Sequence, residues 1–246
     1  MSNILIIGGT SAIATACARL WAQRHGRFML VGRNPEKLQQ TAADLLARGA
    51  SEVQTHVLDL DDLDGHAAML DSAQQFLRRI DIALIAHGSL PDQQACESDA
   101  AQAVQAFTRN GLNVIALLTR LGNLMEAQGS GSIAVISSVA GDRGRPSNYL
   151  YGSAKAAVSV FCSGLRARLF KSDVHLLTVK PGFVDTPMTQ GLALPGLLLA
   201  QPDRVAADIV RALHKRRSML YTPWFWAPIM MVIKSIPEFV FKRLSL

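Results

Sequence analysis

The chain reads as a doubly wound α/β domain, a parallel sheet of about seven strands with helices on both faces and an apolar C-terminal extension. Three observations predict this. Short apolar runs alternate along the chain with longer helical segments, the order that parallel strands and crossover helices require. The chain is 49% apolar and 18% charged, rich enough for strands covered on both faces, as the run from Asn3 to Ile7 suggests. Chemically distinctive residues recur just past the ends of those runs, where ligands of open parallel sheets sit.

The elements follow in order. Asn3 to Ile7 reads as a buried strand; Gly8-Gly9-Thr10-Ser11 and a small-residue helix from Ala12 to Trp21 follow it. Strand, tight glycine turn and helix set backbone N–H groups and a helix N-terminus beneath a pyrophosphate. Ala12 and Ala14 stand where later glycines of a dinucleotide fingerprint would be expected. A second strand, Arg27 to Val31, ends at Gly32-Arg33-Asn34, with no acid to accept ribose hydroxyls. Arg33 can instead pair with a 2′-phosphate, which favours NADP over NAD; the competing reading is an ordinary solvated arginine.

A helix from Glu36 to Arg48 leads to a third strand, Glu52 to Leu58, which ends at Asp59. The fourth, Asp81 to Ala86, runs into His87-Gly88-Ser89, where Gly88 lets the backbone pass close to a ligand. Nothing in the sequence orients His87 as base or ligand, so it is read as structural. A long helix is expected from about Ala100 to Ala127; Asn113 within it is either a core amide or part of a site.

The run Ile133 to Ile136 places Ser138 just past a strand end. Tyr151 and Lys155, four apart at the start of a helix running to Phe170, share one helix face. An ammonium beside a phenol favours the phenolate and is expected to draw its pKa down from ~10. Together the three residues can hold a carbonyl oxygen and exchange a proton with it. Small residues on that helix (Gly152, Ser153, Ala154, Ala156, Ala157) suit close approach of another helix, as at a subunit interface. Val174 to Val179 forms a further strand leading to Pro181-Gly182-Phe183-Val184-Asp185-Thr186, and Met219 to Thr222 is the last.

In order and spacing these motifs resemble the short-chain dehydrogenase/reductase family over nearly the whole chain, which implies a Rossmann-type fold. The resemblance implies a catalytic set of Asn113, Ser138, Tyr151 and Lys155. It assigns Gly8, Thr10, Ser11 and Ile13 to the phosphate turn, Arg33 and Asp59 to the adenosine end, and Val184 and Thr186 to the nicotinamide carboxamide. Leu60, Ala86, Gly88, Pro181 and Gly182 complete the cofactor set, with Tyr151 and Lys155 at the ribose. The departures are Ala12 and Ala14 for glycines and Ala86-His87 for an Asn-Ala pair. The implied reaction is hydride transfer between NADP, or alternatively NAD, and a ketone or secondary alcohol.

At 246 residues the chain suits one undivided domain over residues 1–222 with an extension over 223–246. The formal charge of +6 is spread out, apart from Lys215-Arg216-Arg217 and Lys242-Arg243. That is no nucleic-acid face; it fits an anionic cofactor or an anionic membrane surface. Three unclustered cysteines (Cys17, Cys96, Cys162) argue for reduced thiols and no metal site, and the N-terminus lacks signal-peptide character, so a cytoplasmic protein is expected.

Two apolar stretches bear on substrate. Leu192 to Ala200 occupies the family's lid, implying a bulky apolar substrate. The uncharged run from Ser218 to Ile233 is 16 residues long and holds two prolines, too short for the ~20 residues of a spanning helix. Its Trp224 and Trp226, followed by Lys234, Glu238 and Lys242 opposite Ile236, Val240 and Leu244, suit a helix lying in a membrane interface. A dimer or lid contact would hide the same residues. The tail and the turn from Gly8 to Ala14 are also similar to reductases that complete epimerisation of polyprenylphosphoryl pentose, which implies a lipid-linked keto-pentose. A soluble hydrophobic ketone is the alternative substrate, and a catalytically silent NAD(P)-binding sensor the alternative class. A homodimer or homotetramer is expected.

Overall fold

A computed structural model describes residues 1–191 and 195–244. Seven parallel strands form one sheet in the order β3-β2-β1-β4-β5-β6-β7. They are β1 (Asn3–Ile7), β2 (Arg27–Gly32), β3 (Glu52–Val57), β4 (Ile82–Ile85), β5 (Gly131–Ile136), β6 (Val174–Pro181) and β7 (Met219–Thr222). The order reverses between β1 and β4, so the first crossover runs one way and the second the other. The crevice opened at that point lies beyond the strands' C-terminal ends.

Period-two alternation sends each strand's side chains to two separate cores. Ile4 and Ile6 of β1 face one layer with Phe28, Leu30 and Leu177. That layer is covered by helices α1 (Ala12–Ala22), α2 (Pro35–Ala47) and α8 (Pro202–His214), through residues such as Cys17, Leu38 and Ile209. Leu5 and Ile7 face the other with Met29, Ile85 and Val135. There α3 (Gly65–Leu77), α6 (Asn113–Gln128) and α7 (Tyr149–Leu169) close the layer through Met69, Leu117, Leu121 and Cys162. All three cysteines are free and buried. Two short helices, α4 (Gln93–Ser98) and α5 (Ala100–Phe107), precede α6, each N-capped by an aspartate side chain, Asp92 and Asp99.

The long helix expected from Ala100 to Ala127 is interrupted. Between α5 and α6 the backbone makes a π-helical turn, Thr108–Leu112, that inserts one residue into the helical count. Two of the small residues of α7 pack inside the chain. Gly152 lies against the Ala140 carbonyl, where an added Cβ would come within 2.7 Å, and Ala154 faces Gly111 in the π turn. They allow close approach within the chain itself.

The C-terminal extension folds as α9 (Trp226–Ser235) and α10 (Glu238–Phe241), so the four-residue recurrence of charge crosses a break at Ile236-Pro237. One face docks beside the sheet: Trp226, Met230 and Phe241 are buried, and Trp226 stacks edge-on to Phe183 with ring centroids 5.3 Å apart. The opposite face is open, with Trp224 71% exposed and Met231, Val232 and Phe239 likewise in solvent. No helix among the described residues is long and apolar enough to cross a membrane. Leu192, Ala193 and Leu194 of the expected lid lie outside the described residues; Leu197, just beyond them, is 97% exposed.

Candidate active site

A cleft of about 500 Å³ opens over the C-terminal ends of the strands and is lined by residues from almost every loop there. At one end, β1 turns into α1. Gly8 holds φ +87°, and a Cβ there would lie 2.8 Å from the backbone of Ala86 and His87, so only glycine lets the first turn pass this close to β4. Gly8, Thr10, Ser11 and Ile13 line the cleft. Ser11 is the N-cap of α1 but its side chain accepts no capping bond, and the first turn of α1 carries no acid. The helix therefore presents free N–H groups and the positive end of its dipole to the cleft. This fits a pyrophosphate, the group a dinucleotide cofactor would place there.

Arg33 follows β2 at the cleft rim, exposed and in no ion pair among the described residues. Asp59 and Leu60 line the same end. Ala86, Gly88, Pro181, Gly182, Val184 and Thr186 line the middle. Thr189 ties the Val184–Thr186 segment down, its hydroxyl donating to the Val184 carbonyl at 2.6 Å.

At the other end stand Ser138, Tyr151 and Lys155, all on the cleft wall. Ser138 sits just beyond β5 in extended conformation, its Oγ accepting from the Ala140 N–H at 3.1 Å. The Ser138 hydroxyl and the Tyr151 phenol both line the cleft, and the serine acts to lower the phenol's pKa. Lys155, one turn further along α7, is 3% exposed; its Nζ donates to the Ile136 carbonyl at 3.1 Å and lies 5.6 Å from the centre of the Tyr151 ring. Ser137 fixes the backbone beneath, its Oγ donating to the Lys155 carbonyl at 3.0 Å.

The electrostatics reverse one expectation. Burial pushes the Tyr151 phenol up to about 12, with the Ser138 hydroxyl the opposing influence, rather than Lys155 drawing it down. Burial also lowers the Lys155 ammonium from 10.5 to about 8. In this state the phenol is a protonated donor at neutral pH.

Asn113 is not brought to the cleft. It is fully buried at the first turn of α6, its Nδ2 donating to Asp61 Oδ1 at 2.7 Å, while Arg109 grips the other Asp61 oxygen at 2.5 Å. The residue the sequence reading missed is Asn110, in the π turn. Its Oδ1 accepts from the Ser89 N–H at 2.9 Å. A Cβ built on Gly88 would fall 2.9 Å from that oxygen and 3.5 Å from Lys155 Nζ, so the amide and the ammonium flank one small space. The available signal was Asn110-Gly111 itself, two poor helix formers inside a helical run. His87 also proves to be a cleft residue: neither ring nitrogen finds a hydrogen bond, and burial beside the Lys155 charge holds it down to about 4, hence neutral.

The extension reaches this end too. Trp226 lies over Gly182. Arg143, in the loop between β5 and α7, donates to the Ile233 carbonyl at 2.7 Å, pairs with Glu238 at 2.9 Å and stacks on the Phe241 ring at 3.7 Å. Its neighbour Asp142 is buried in a pair with Lys180 and accepts from the Tyr221 hydroxyl at 2.7 Å.

Comparison with known proteins places this architecture. Residues 2–194 match the family model described as short chain dehydrogenase. An uncharacterised oxidoreductase of Mycobacterium tuberculosis is 39% identical over 241 residues, covering 98% of this chain and 96% of that one. An uncharacterised oxidoreductase of Streptomyces coelicolor is 33% identical over 244 residues, covering 98% and 95%. A solved short chain dehydrogenase/reductase family protein superposes with a TM-score of 0.78 at 29% identity, over 89% of this chain and 94% of that one. A Phe-to-Trp variant of actinorhodin polyketide ketoreductase, solved with NADPH, shares the fold with a TM-score of 0.80 at 19% identity, over 90% and 95%. The chain belongs to the short-chain dehydrogenase/reductase family, oxidoreductases that act on CH–OH and C=O groups with NAD(P).

Proposed function

We propose that the protein reduces a ketone to a secondary alcohol, with Ser138, Tyr151, Lys155 and Asn110 as its catalytic machinery and NADP as cofactor. The observation that carries the reading is Ser138 and Tyr151 lining one cleft with a buried ammonium 5.6 Å from the Tyr151 ring, the cleft that the open N-terminus of α1 also faces. The dinucleotide, when bound, supplies the hydride. Ser138 and Tyr151 converge on the carbonyl oxygen, and Tyr151 passes its proton to that oxygen as charge develops there. Lys155 stabilises the phenolate so formed and binds the ribose. Asn110, beside Lys155, orders the relay that returns a proton. With its pKa at about 12 the phenol is held protonated at neutral pH, the state in which it can donate to a carbonyl oxygen. The unpaired Arg33 supports NADP through a 2′-phosphate.

The substrate proposed is bulky and apolar, with a lipid-linked keto-pentose phosphate as the specific form. Its support is the open face of the extension, where Trp224, Met231, Val232 and Phe239 stand exposed near Lys234, Lys242 and Arg243. Such a surface suits peripheral contact with an anionic membrane. Exposed Val104, Leu112 and Val160 on α5, the π turn and α7 support a homodimer or homotetramer.

The test is Tyr151→Phe, assayed by nicotinamide absorbance against a ketone panel and by cofactor titration. Turnover is expected to fall by ~10²–10⁴ with cofactor affinity near that of the parent. Undiminished turnover would refute the assignment.

A further inference from the structure

Two arginines stand two residues apart in the loop joining Ser138 to Tyr151, and they have opposite fates. Arg143 turns outward and gathers carbonyls, a carboxylate and an aromatic face from the extension. Arg145 turns into the cleft wall, is only 8% exposed, and makes no side-chain hydrogen bond or ion pair among the described residues; its Nε is fully buried without a partner. Burying a guanidinium without an acceptor is costly, and proteins keep such a group mainly where something else completes it.

The cleft offers nothing that does so. The acids lining it are Asp59, at the adenosine end, and Asp61, already gripped by Arg109 and Asn113. The remaining acid in the loop, Asp142, is committed to Lys180 and Tyr221. The turn at the start of α1 brings its own free N–H groups to a pyrophosphate, and it follows β1, whereas the loop carrying Arg145 follows β5. Asn148, on the same stretch of wall, also carries a buried Oδ1 without a partner. Burial lowers the Arg145 pKa, which records the same lack of a counter-charge.

We infer that Arg145 is a specificity-determining residue that binds an anionic group, carboxylate or phosphoryl, on the same molecule as the reacting carbonyl. A planar guanidinium with free donors matches either group through paired hydrogen bonds. The loop fixes the relation between the two ends of such a substrate: Arg145 lies between Ser138 and Tyr151 in the chain and lines the same cleft. The inference rests on the carbonyl-reduction reading for its kinetic consequence. Its binding consequence stands independently.

The experiment therefore has two readouts. In the first, protein saturated with NADP⁺ is heated with increasing inorganic phosphate or acetate. The parent's melting temperature is expected to rise with the anion, while that of Arg145→Met stays flat and that of Arg145→Lys rises partly. Equal anion dependence in parent and Arg145→Met overturns the inference whether or not any ketone is turned over. Phosphate acting without acetate assigns the phosphoryl group; the reverse assigns the carboxylate. In the second, kcat/KM with NADPH is compared for levulinate against ethyl levulinate and for dihydroxyacetone phosphate against dihydroxyacetone. The anionic member of at least one pair is expected to be preferred tenfold or more, with Arg145→Met removing that preference while changing the neutral member less than threefold. A uniform loss on both members also overturns it. Absence of turnover on all four, alongside an Arg145-dependent thermal shift, counts against the carbonyl reading and leaves the anion site standing.

Discussion

Replacing Lys155 by Met should make the cofactor-free protein more stable while abolishing turnover. The ammonium is 3% exposed and, among the described residues, its hydrogen-bond acceptor is the Ile136 carbonyl, which is uncharged. Its pKa falls from 10.5 to about 8 on folding because burial penalises the charge. At about 1.4 kcal/mol per pH unit, holding it protonated at pH 7 costs about 3 kcal/mol. Loss of the Ile136 hydrogen bond returns about 1 kcal/mol of that. Met is unbranched and similar in length, so the space stays filled. The net gain is about 2 kcal/mol, or about 4–8 °C in melting temperature for a domain of this size. The sign with pH follows from the direction of the shift. Between pH 8 and 10.5 the unfolded lysine still holds its proton while the folded one has lost it, so the parent gains stability there relative to the variant. The penalty is complete below pH 8 and gone above 10.5. Urea titrations of both chains from pH 6.5 to 10 give the difference directly. A Lys155→Met protein less stable than its parent at pH 7, or a gap that does not narrow on raising the pH, would show that the ammonium is stabilised in the cleft and would refute the reasoning.

The other predictions concern the cleft's ends and the extension. Asn110→Ala should lower turnover at least tenfold with little change in cofactor affinity, whereas Asn113→Ala should cost about 1 kcal/mol of stability by freeing Asp61 and leave turnover within a few-fold. The reverse ranking in steady-state and urea assays would restore Asn113 to the site. Arg33→Ala should weaken NADPH binding roughly 10–100-fold and leave NADH unchanged, as read by fluorescence titration; equal loss for both would remove the 2′-phosphate assignment. Combined Trp224→Ser and Phe239→Ser, both on the open face, should reduce flotation with anionic liposomes at least tenfold while leaving the fold intact, and unchanged flotation would remove the membrane contact. Truncation at Pro223 is the poorer test, since it also strips Arg143 and Gly182 of their cover.

What the sequence made legible was whatever depends on local pattern. Strands buried on both faces announce themselves as apolar runs, as β1 does, and β1, β2, β6, β7 and the more polar edge strand β3 begin at the residues expected from sequence. The glycine turn and the Ser138, Tyr151, Lys155 spacing were legible for the same reason, because a strand end or a helix turn fixes each geometry over a few residues. Helix α8 was overlooked although Val205, Ile209, Ala212 and Leu213 keep a helical period behind Pro202 at its first turn. The signal was present and overshadowed by the apolar segments on either side.

The remaining features were hidden for physical reasons. Asn113 stood out as a lone amide in an apolar helical run, and that pattern does not show the π turn that carries Asn110 to the cleft side of Ser89. Propensity marks Asn110-Gly111 as a weak point in the helix but not the contact of Gly111 with Ala154 on another helix that accompanies the turn. The field at Tyr151 was misjudged because spacing supplies the distance to a charge but not the burial around it, and here burial dominates. Arg143 and Arg145 cannot be told apart by sequence at all. Their difference is made by the extension, some ninety residues later, which returns to the catalytic loop and satisfies one guanidinium while leaving the other facing the cleft. The part of the chain most naturally taken for a separate anchor thus packs against the loop between β5 and α7, and that packing links its exposed apolar face to the loop that carries Arg145.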